Sequence, residues 1–264
     1  HFDDGEIQYD AVMTGTMPMW RPATGHTIYG NREEHYFAWF VAQPAAKVDA
    51  SLTIAGKTKE LHGLGYHDHN WGNISMEKLL NHWYWGRAKI GDYNIIVSDM
   101  ITVKKYGFIR LPVIMIAKNG KIITDNSLIT KITRKDTIIH PVTKKFMDNH
   151  IIYEQKISDR EKYTIEFIRH QDIISVSLLP RVSLIKRFIA RLLRLNPTYT
   201  RVQGEVNLTV ELDGQTEVIK SEGLWEQMFF GSNKHATIND LRDELGKEML
   251  KGRERPQADT AVSL

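Results

Sequence analysis

The sequence predicts a mainly β protein whose antiparallel strands form meanders and barrels, with two short helices. Three observations support this fold class: consecutive runs of alternating apolar and polar residues, turn signals between the runs, and helical periodicity in two segments alone. The clearest turn is Asn119-Gly120, which separates the apolar residues 111–117 from residues 121–124. Both central residues of a type I′ turn need a positive φ, so this pair predicts a β-hairpin.

Strand patterns continue along the chain. In residues 7–14, apolar side chains at Ile7, Tyr9, Ala11 and Met13 alternate with polar ones, which predicts a half-buried strand. Short turns rich in Gly or Asp predict further hairpins, because such residues tolerate the backbone angles of tight turns. These hairpins pair 48–54 with 58–62 and 205–212 with 216–221. Strand patterns also predict that 149–156 pairs with 163–169, and that a further strand follows at 173–179.

The two helical segments both lie in the C-terminal third of the chain. Over 181–195, apolar residues fall on one face with five basic residues opposite, which predicts an amphipathic helix. Such a helix either contacts a membrane surface or packs on its own sheet with its arginines in water, and we favour packing. Thr237 is a suitable N-cap for a second helix that runs to Met249, and residues 253–264 are expected to be a disordered tail.

Composition excludes several classes of function. The 264-residue chain is 42% hydrophobic and 25% charged, as expected for a folded globular protein, and it contains no cysteine. Disulfides, zinc ribbons, iron–sulfur clusters and cysteine nucleophiles are therefore excluded. The net charge is +3, and five of the cations lie in the 181–195 segment, so no nucleic-acid partner is expected. Neither a GxSxG elbow nor a P-loop is present, which argues against serine hydrolases and nucleotide-dependent enzymes.

The most unusual segment is 63–72, GLGYHDHNWG, which is followed by 82–93, HWYWGRAKIGDY. Alternation along a strand divides the first segment between two faces, so that one set lines a cavity while the other packs outside it. One face carries Tyr66, Asp68 and Asn70. The other carries His67, His69 and Trp71.

Two other interpretations of these residues stay open. The polar side chains could satisfy ordinary hydrogen bonds at a strand end, with the glycines of 63–72 in turns. Alternatively, His67 and His69 could bind a metal together with His62 or His82, because histidines two positions apart on a strand share a face. Histidine clusters are more often structural, so we expect a site without metal.

Both segments resemble the hydroxyneurosporene synthase (carotenoid 1,2-hydratase) superfamily, and most closely its fungal Diels–Alderase-like branch. The resemblance is carried by GYHDHNWG at 65–72 and HWYWGRAKIGDY at 82–93, and more weakly by GTMPMW at 15–20 and EGLWEQMFFG at 222–231. It implies two antiparallel lipocalin-like (calycin) barrels, with a ligand pocket near their boundary.

The resemblance also implies a division into domains. Residues 1–90 form a partial N-terminal lipocalin-like domain, and residues 91–252 form a C-terminal lipocalin-like barrel. The opening strands of the first domain are absent by this pattern, so we expect them in a missing N-terminal segment or on a second chain. No signal peptide and no bilayer-spanning apolar run is visible, and although the sequence leaves the compartment open, a cytoplasmic location is the expectation.

The function implied by the resemblance is a cofactor-independent cyclisation of an apolar polyene, of the Diels–Alder type, in secondary metabolism. The alternatives are acid-catalysed hydration of an alkene with Asp68 as the acid, and non-catalytic carriage of an apolar ligand. The expected catalytic residues are Tyr66, Asp68, Asn70 and His82. The expected substrate-binding residues are Trp39, His67, His69, Trp71, Trp83, Tyr84, Trp85 and Tyr93.

Overall fold

The computed structural model describes residues 1–179 and 196–231, which form two antiparallel sheets. In the first sheet, the long strand β4 is the central element. It pairs on one side with β2 and β3, and β1 extends the sheet beyond β2, while β5 pairs with β4 along nearly its full length. The bounds are β1 (Phe2–Asp3), β2 (Ile7–Gly15), β3 (His26–Tyr29), β4 (His35–Ile54) and β5 (Lys57–Gly72).

The second sheet has nine strands, in the order β10-β11-β12-β13-β14-β6-β7-β8-β9. Its strands are β6 (Leu80–Ile90), β7 (Tyr93–Thr102), β8 (Arg110–Lys118), β9 (Lys121–Thr124), β10 (Thr130–Ile139), β11 (Phe146–Lys156), β12 (Glu161–Ser177), β13 (Thr198–Leu212) and β14 (Gln215–Phe229). Short 3-10 helices occupy Met76–Lys78, Lys104–Tyr106 and Ser127–Ile129. Both sheets are curled into half-barrels, so the predicted mainly β, lipocalin-like fold class is confirmed.

Each predicted hairpin forms, and the turn residues explain why. Asn119 and Gly120 have φ values of 50° and 76°, as a type I′ turn requires. Ala55-Gly56 and Asp213-Gly214 have the same positive pair of angles and join β4 to β5 and β13 to β14. The local turn chemistry therefore sets the register of three hairpins.

Two strand predictions were wrong in detail. β2 forms, but it is exposed on both faces, and Val12 is 67% exposed, because β2 pairs with the part of β4 beyond the core between the sheets. The segment 173–179 is not a separate strand. It is the end of β12, which continues to Ser177 through two register shifts near Gln171.

Two hydrophobic cores organise the described residues. One is enclosed by the curl of the second sheet and includes Tyr84, Tyr93 and Trp225. The other lies between the sheets, where Trp20 and Trp39 meet apolar residues of β7 and β8. β7 serves both cores because its alternate residues face opposite ways.

Pairing changes from the first sheet to the second between Gly72 and Leu80, so β6 belongs to the second sheet. The division into two domains with a boundary at 90 stays a prediction. The predicted helices at 181–195 and 237–249 and the tail at 253–264 lie outside the described residues. Among the residues that are described, no helix has the length and apolar character needed to cross a membrane.

Candidate active site

A cavity of about 270 Å³ lies between the two sheets, and we call it the aromatic compartment. Strand alternation explains its walls: residues two apart on β5 lie on one face of the first sheet, and residues two apart on β6 lie on the face of the second sheet opposite them. The first sheet contributes Phe37, Trp39, Asp68 and Asn70. The second contributes Trp83, Trp85, Ser98, Met100 and Glu226, and Met76 lies between the sheets.

Asp68 is the organising acceptor on the first wall. Its Oδ2 accepts hydrogen bonds from the Trp39 indole Nε1 at 2.9 Å and from the Tyr66 hydroxyl at 3.0 Å. Burial, with the nearby Asp68 charge second, raises the pKa of Tyr66, so this hydroxyl keeps its proton and donates it. Asp68 Oδ1 has no hydrogen-bond partner in the described chain, which leaves it available to a bound molecule.

Glu226 is a second carboxylate, on the opposite wall. Its Oε2 accepts a hydrogen bond from the Tyr199 hydroxyl at 2.8 Å, and its Oε1 lies 3.5 Å from the Trp83 indole Nε1. Each wall thus holds one carboxylate between a tryptophan and a tyrosine. Sequence reasoning missed Glu226, although it lies within the 222–231 motif, because its pairing with Trp85 joins distant parts of the chain.

The Trp85 indole completes the site. Its ring lies 5.4 Å from that of Tyr66, centroid to centroid. Its Nε1 is buried and has no acceptor among residues 1–179 and 196–231. Buried N–H groups are nearly always paired in folded proteins, so an unpaired one beside a cavity marks a position where a ligand or water can accept a hydrogen bond.

The structure does not bring His67, His69 and Trp71 into this cavity. They lie on the outer face of β5, as strand alternation predicts for residues opposite Asp68. His69 stacks on Trp71 at 5.5 Å, and Trp71 is 40% exposed. No group of three metal-binding side chains occurs in the described ranges.

His82, Tyr84 and Tyr93 also lie elsewhere, inside the curl of the second sheet. His82 and Tyr84 alternate with Trp83 and Trp85 on β6, so they point away from the cavity. The ring of His82 is buried and stacks on Phe229 at 4.5 Å. The expectation that all of these residues share one pocket is therefore corrected, because the two faces of β6 belong to two different cores.

A buried ionic cluster surrounds His82. Asp99 Oδ2 accepts from Arg134 Nε at 2.8 Å, and Asp99 Oδ1 lies 3.1 Å from Arg110 Nε. Burial alone would raise the pKa of Asp99, but the two guanidinium groups outweigh it and hold the pKa below its ordinary value. The cluster packs against Tyr84, whose ring centre lies 5.1 Å from the Arg134 guanidinium carbon, so it lies inside the second sheet and outside the aromatic compartment.

His82 is expected to make folding stability depend on pH. Burial, followed by repulsion from Arg134, holds its pKa well below the ordinary value of 6.5. The unfolded chain then binds a proton that the folded chain does not. The contribution of His82 to the free energy of unfolding is therefore fully present above about pH 6.5. It falls as the pH decreases below that value, by up to about 1.4 kcal/mol per pH unit.

Denaturant unfolding of the wild type and of His82→Gln at about pH 7.5 and about pH 5.5 measures this slope. The variant should show a smaller loss of stability on acidification. His62→Gln, at an exposed histidine, is the control and should keep the wild-type slope. Equal slopes in the wild type and His82→Gln would show that His82 does not titrate on unfolding.

The fold and the cavity together define a lipocalin-like β protein with an aromatic-walled cavity between two curled sheets. The chain belongs to the Diels-Alderase-like family, whose model matches residues 4–172.

Individual relatives match parts of the chain. The quinolone epoxide rearrangement protein penF of Penicillium thymicola is 38% identical over 87 residues, which is 32% of this chain and 23% of that protein. The crystal structure of CghA superposes with a TM-score of 0.58 at 14% identity, over 89% of this chain and 64% of that one. The crystal structure of kievitone hydratase from Nectria haematococca superposes with a TM-score of 0.52 at 15% identity, over 88% of this chain and 64% of that one. This chain therefore spans less than two thirds of these proteins, and the two structures show the shared fold.

Proposed function

We propose that this chain catalyses a cofactor-independent cyclisation of an apolar polyene, of the Diels–Alder type, in the aromatic compartment. The observation that carries the proposal is a cavity wall of three indoles, Trp39, Trp83 and Trp85. The carboxylates of Asp68 and Glu226 lie between them and accept hydrogen bonds from Trp39 and Trp83. Membership of the Diels-Alderase-like family and the similarity to penF, a quinolone epoxide rearrangement protein, support an intramolecular reaction of a small molecule.

A cycloaddition of this kind needs no proton transfer, so the chief task of the protein is to hold a flexible chain in the reactive geometry. Ordering reactants in this way lowers the barrier by up to about 7–11 kcal/mol in the most favourable cases. Flat aromatic faces suit this task because they are rigid and contact an extended apolar chain over a large area.

Polar groups supply the remaining selectivity. The single proton of the Tyr66 hydroxyl and that of the Trp39 indole are both donated to Asp68, so neither is free for a substrate carbonyl. Asn70 lines the same cavity and carries amide donors, and the Trp85 indole N–H lacks an acceptor in the described residues. We assign these two groups to a substrate carbonyl whose charge grows in the transition state.

Hydration of an alkene is the second candidate, favoured by the position of a carboxyl group on the cavity wall and by the kievitone hydratase fold. Such a reaction requires a group that gives a proton to carbon. In this arrangement Asp68 Oδ2 accepts two hydrogen bonds that hold Trp39 and Tyr66 in place, and cyclisation needs no proton donor, so we prefer cyclisation.

The test is incubation of the protein with a linear polyene that carries a diene and an activated alkene, followed by absorbance and mass spectrometry. Cyclisation shortens the conjugation and leaves the mass unchanged, whereas hydration adds the mass of one water. Trp85→Ala should slow the reaction about tenfold or more, because it removes one wall of the cavity. Trp71→Ala, at a tryptophan on the outer face, should not.

A polyene that stays unchanged while bound to the protein would contradict the proposal and identify a carrier. Equal rates in Trp85→Ala and Trp71→Ala would place the reaction outside the aromatic compartment.

A further inference from the structure

A second cavity, of about 690 Å³, lies next to the aromatic compartment along β6 and β14, and we call it the polar compartment. On β6, Trp85 lines the first compartment and Arg87 lines the second. On β14, Glu226 and Leu224 are divided in the same way. Alternate residues of a strand lie on one face, so the two compartments are neighbours on the same face of β6 and β14.

Tyr66 stands at the boundary between the compartments. Its ring contacts Trp85 on one side, and the Arg87 guanidinium carbon lies 5.0 Å from the centre of the same ring. The hydroxyl of Tyr66 is tied to Asp68 in the aromatic compartment. A cation held against an aromatic ring is oriented by it, so Tyr66 fixes the direction in which Arg87 presents its donors.

Arg87 is a half-buried cation without a counter-ion. Within residues 1–179 and 196–231, no carboxylate oxygen lies within 4.0 Å of its guanidinium nitrogens. Burial is the main cause that lowers its pKa, and repulsion from Arg201 adds to it, while Tyr66 and the more distant Asp68 carboxylate oppose the shift; an arginine nevertheless remains charged under all ordinary conditions. Partial burial of an unpaired charge costs free energy, and an anion bound at this position would recover it.

The other charged groups of the polar compartment do not neutralise Arg87. Glu222 is exposed, and its Oε2 accepts a hydrogen bond from Gln203 Nε2 at 3.3 Å. Lys89 is exposed and adds a second positive charge. The compartment therefore offers an oriented guanidinium with five N–H donors next to a cavity walled by indoles.

We infer that the substrate is amphipathic: its apolar chain occupies the aromatic compartment, and an anionic oxygen group at one end, a carboxylate or an enolate, binds Arg87 in the polar compartment. This inference rests on the proposed function and names the substrate class for the same cleft. A guanidinium suits such a group because two of its N–H bonds match two oxygens in one plane.

The test compares two fluorescent conjugated polyenes, cis-parinaric acid and its methyl ester, titrated into the 264-residue chain. The wild type should bind the acid about tenfold more tightly than the ester. Arg87→Met keeps the apolar stem and removes the charge, so it should abolish this preference by weakening binding of the acid alone. Lys59→Met, at an exposed lysine of β5 that lines neither compartment, is the control and should keep the preference.

Three results would overturn the inference. The wild type could bind acid and ester equally, or bind neither, and both outcomes would deny an anion site in the cleft. Arg87→Met could weaken the binding of the acid and of the ester to the same extent, which would mean that Arg87 affects only the shape of the cavity. The wild-type comparison decides the matter even if Arg87→Met does not fold. Turnover of a neutral polyene without preference for the acid would leave the proposed function standing and remove only this inference.

Discussion

Replacing Asp99 with alanine is expected to lower the free energy of unfolding by about 3–5 kcal/mol. Asp99 is completely buried inside the second sheet and is the shared partner of Arg134 and Arg110. Removing the carboxylate takes a close, shared partner from two guanidinium groups in a low-dielectric interior, and their remaining contacts, such as that of Arg134 Nε with Asp148 Oδ2 at 3.7 Å, offset only part of the lost solvation.

Chemical denaturation monitored by tryptophan fluorescence measures this loss. Asp159→Ala is the matched control, because Asp159 is exposed and its pair with Lys156 lies at the surface, where such pairs add little. It should leave the unfolding midpoint unchanged. A loss below about 1 kcal/mol in Asp99→Ala would mean that water or a rearranged carboxylate reaches the two arginines.

Asp68→Asn is expected to reduce kcat/KM for cyclisation about tenfold and to lower the free energy of unfolding by about 1 kcal/mol. Asparagine keeps an oxygen that accepts from Trp39 and Tyr66, but hydrogen bonds to a neutral oxygen are roughly half as strong as those to a carboxylate. In a hydratase that used Asp68 as its acid, the same substitution would instead lower the rate of hydration about 10²–10⁴-fold, because the proton donor would be gone.

Steady-state kinetics with a cyclising polyene, together with the product distribution, separate these cases. His67→Gln and His69→Gln change neighbouring residues on the outer face of β5 and should retain the wild-type rate. Hydration that persists in Asp68→Asn would eliminate Asp68 as an acid. A complete loss of cyclisation in the same variant would show that Asp68 takes part directly in the chemistry.

The strands and hairpins could be predicted from sequence because their signals are local. Asn119-Gly120 and Asp213-Gly214 adopt the backbone angles that their residue types favour, and register follows from the turn. The exposure of β2 could not be predicted. Its alternation is that of a half-buried strand, but burial depends on whether another sheet covers it, and the first sheet meets the second over other residues.

The candidate site was predictable in part for the same reason. Alternation separates Tyr66, Asp68 and Asn70 from their neighbours on β5, and the structure places Asp68 and Asn70 on the wall of the cavity. Alternation also separates Trp83 and Trp85 from His82 and Tyr84. The sequence does not show which of those two faces meets the first sheet, because both are rich in aromatic residues.

Glu226 and the buried ionic cluster illustrate the limit of such reasoning. The contact between Trp83 and Glu226 joins residues 143 positions apart, and the ion pair of Asp99 with Arg134 joins residues 35 positions apart. No periodic pattern encodes such contacts. They arise when the second sheet curls, and the same curl turns the indoles of β6 outwards to face β5.

A crystal structure of the protein with methyl cis-parinarate bound tests the central claim most directly. The account predicts electron density for the polyene between the two sheets, in contact with Trp39, Trp83 and Trp85. Density beside Tyr84 and Tyr93 inside the second sheet, or against Trp71 on the outer face of β5, would contradict it.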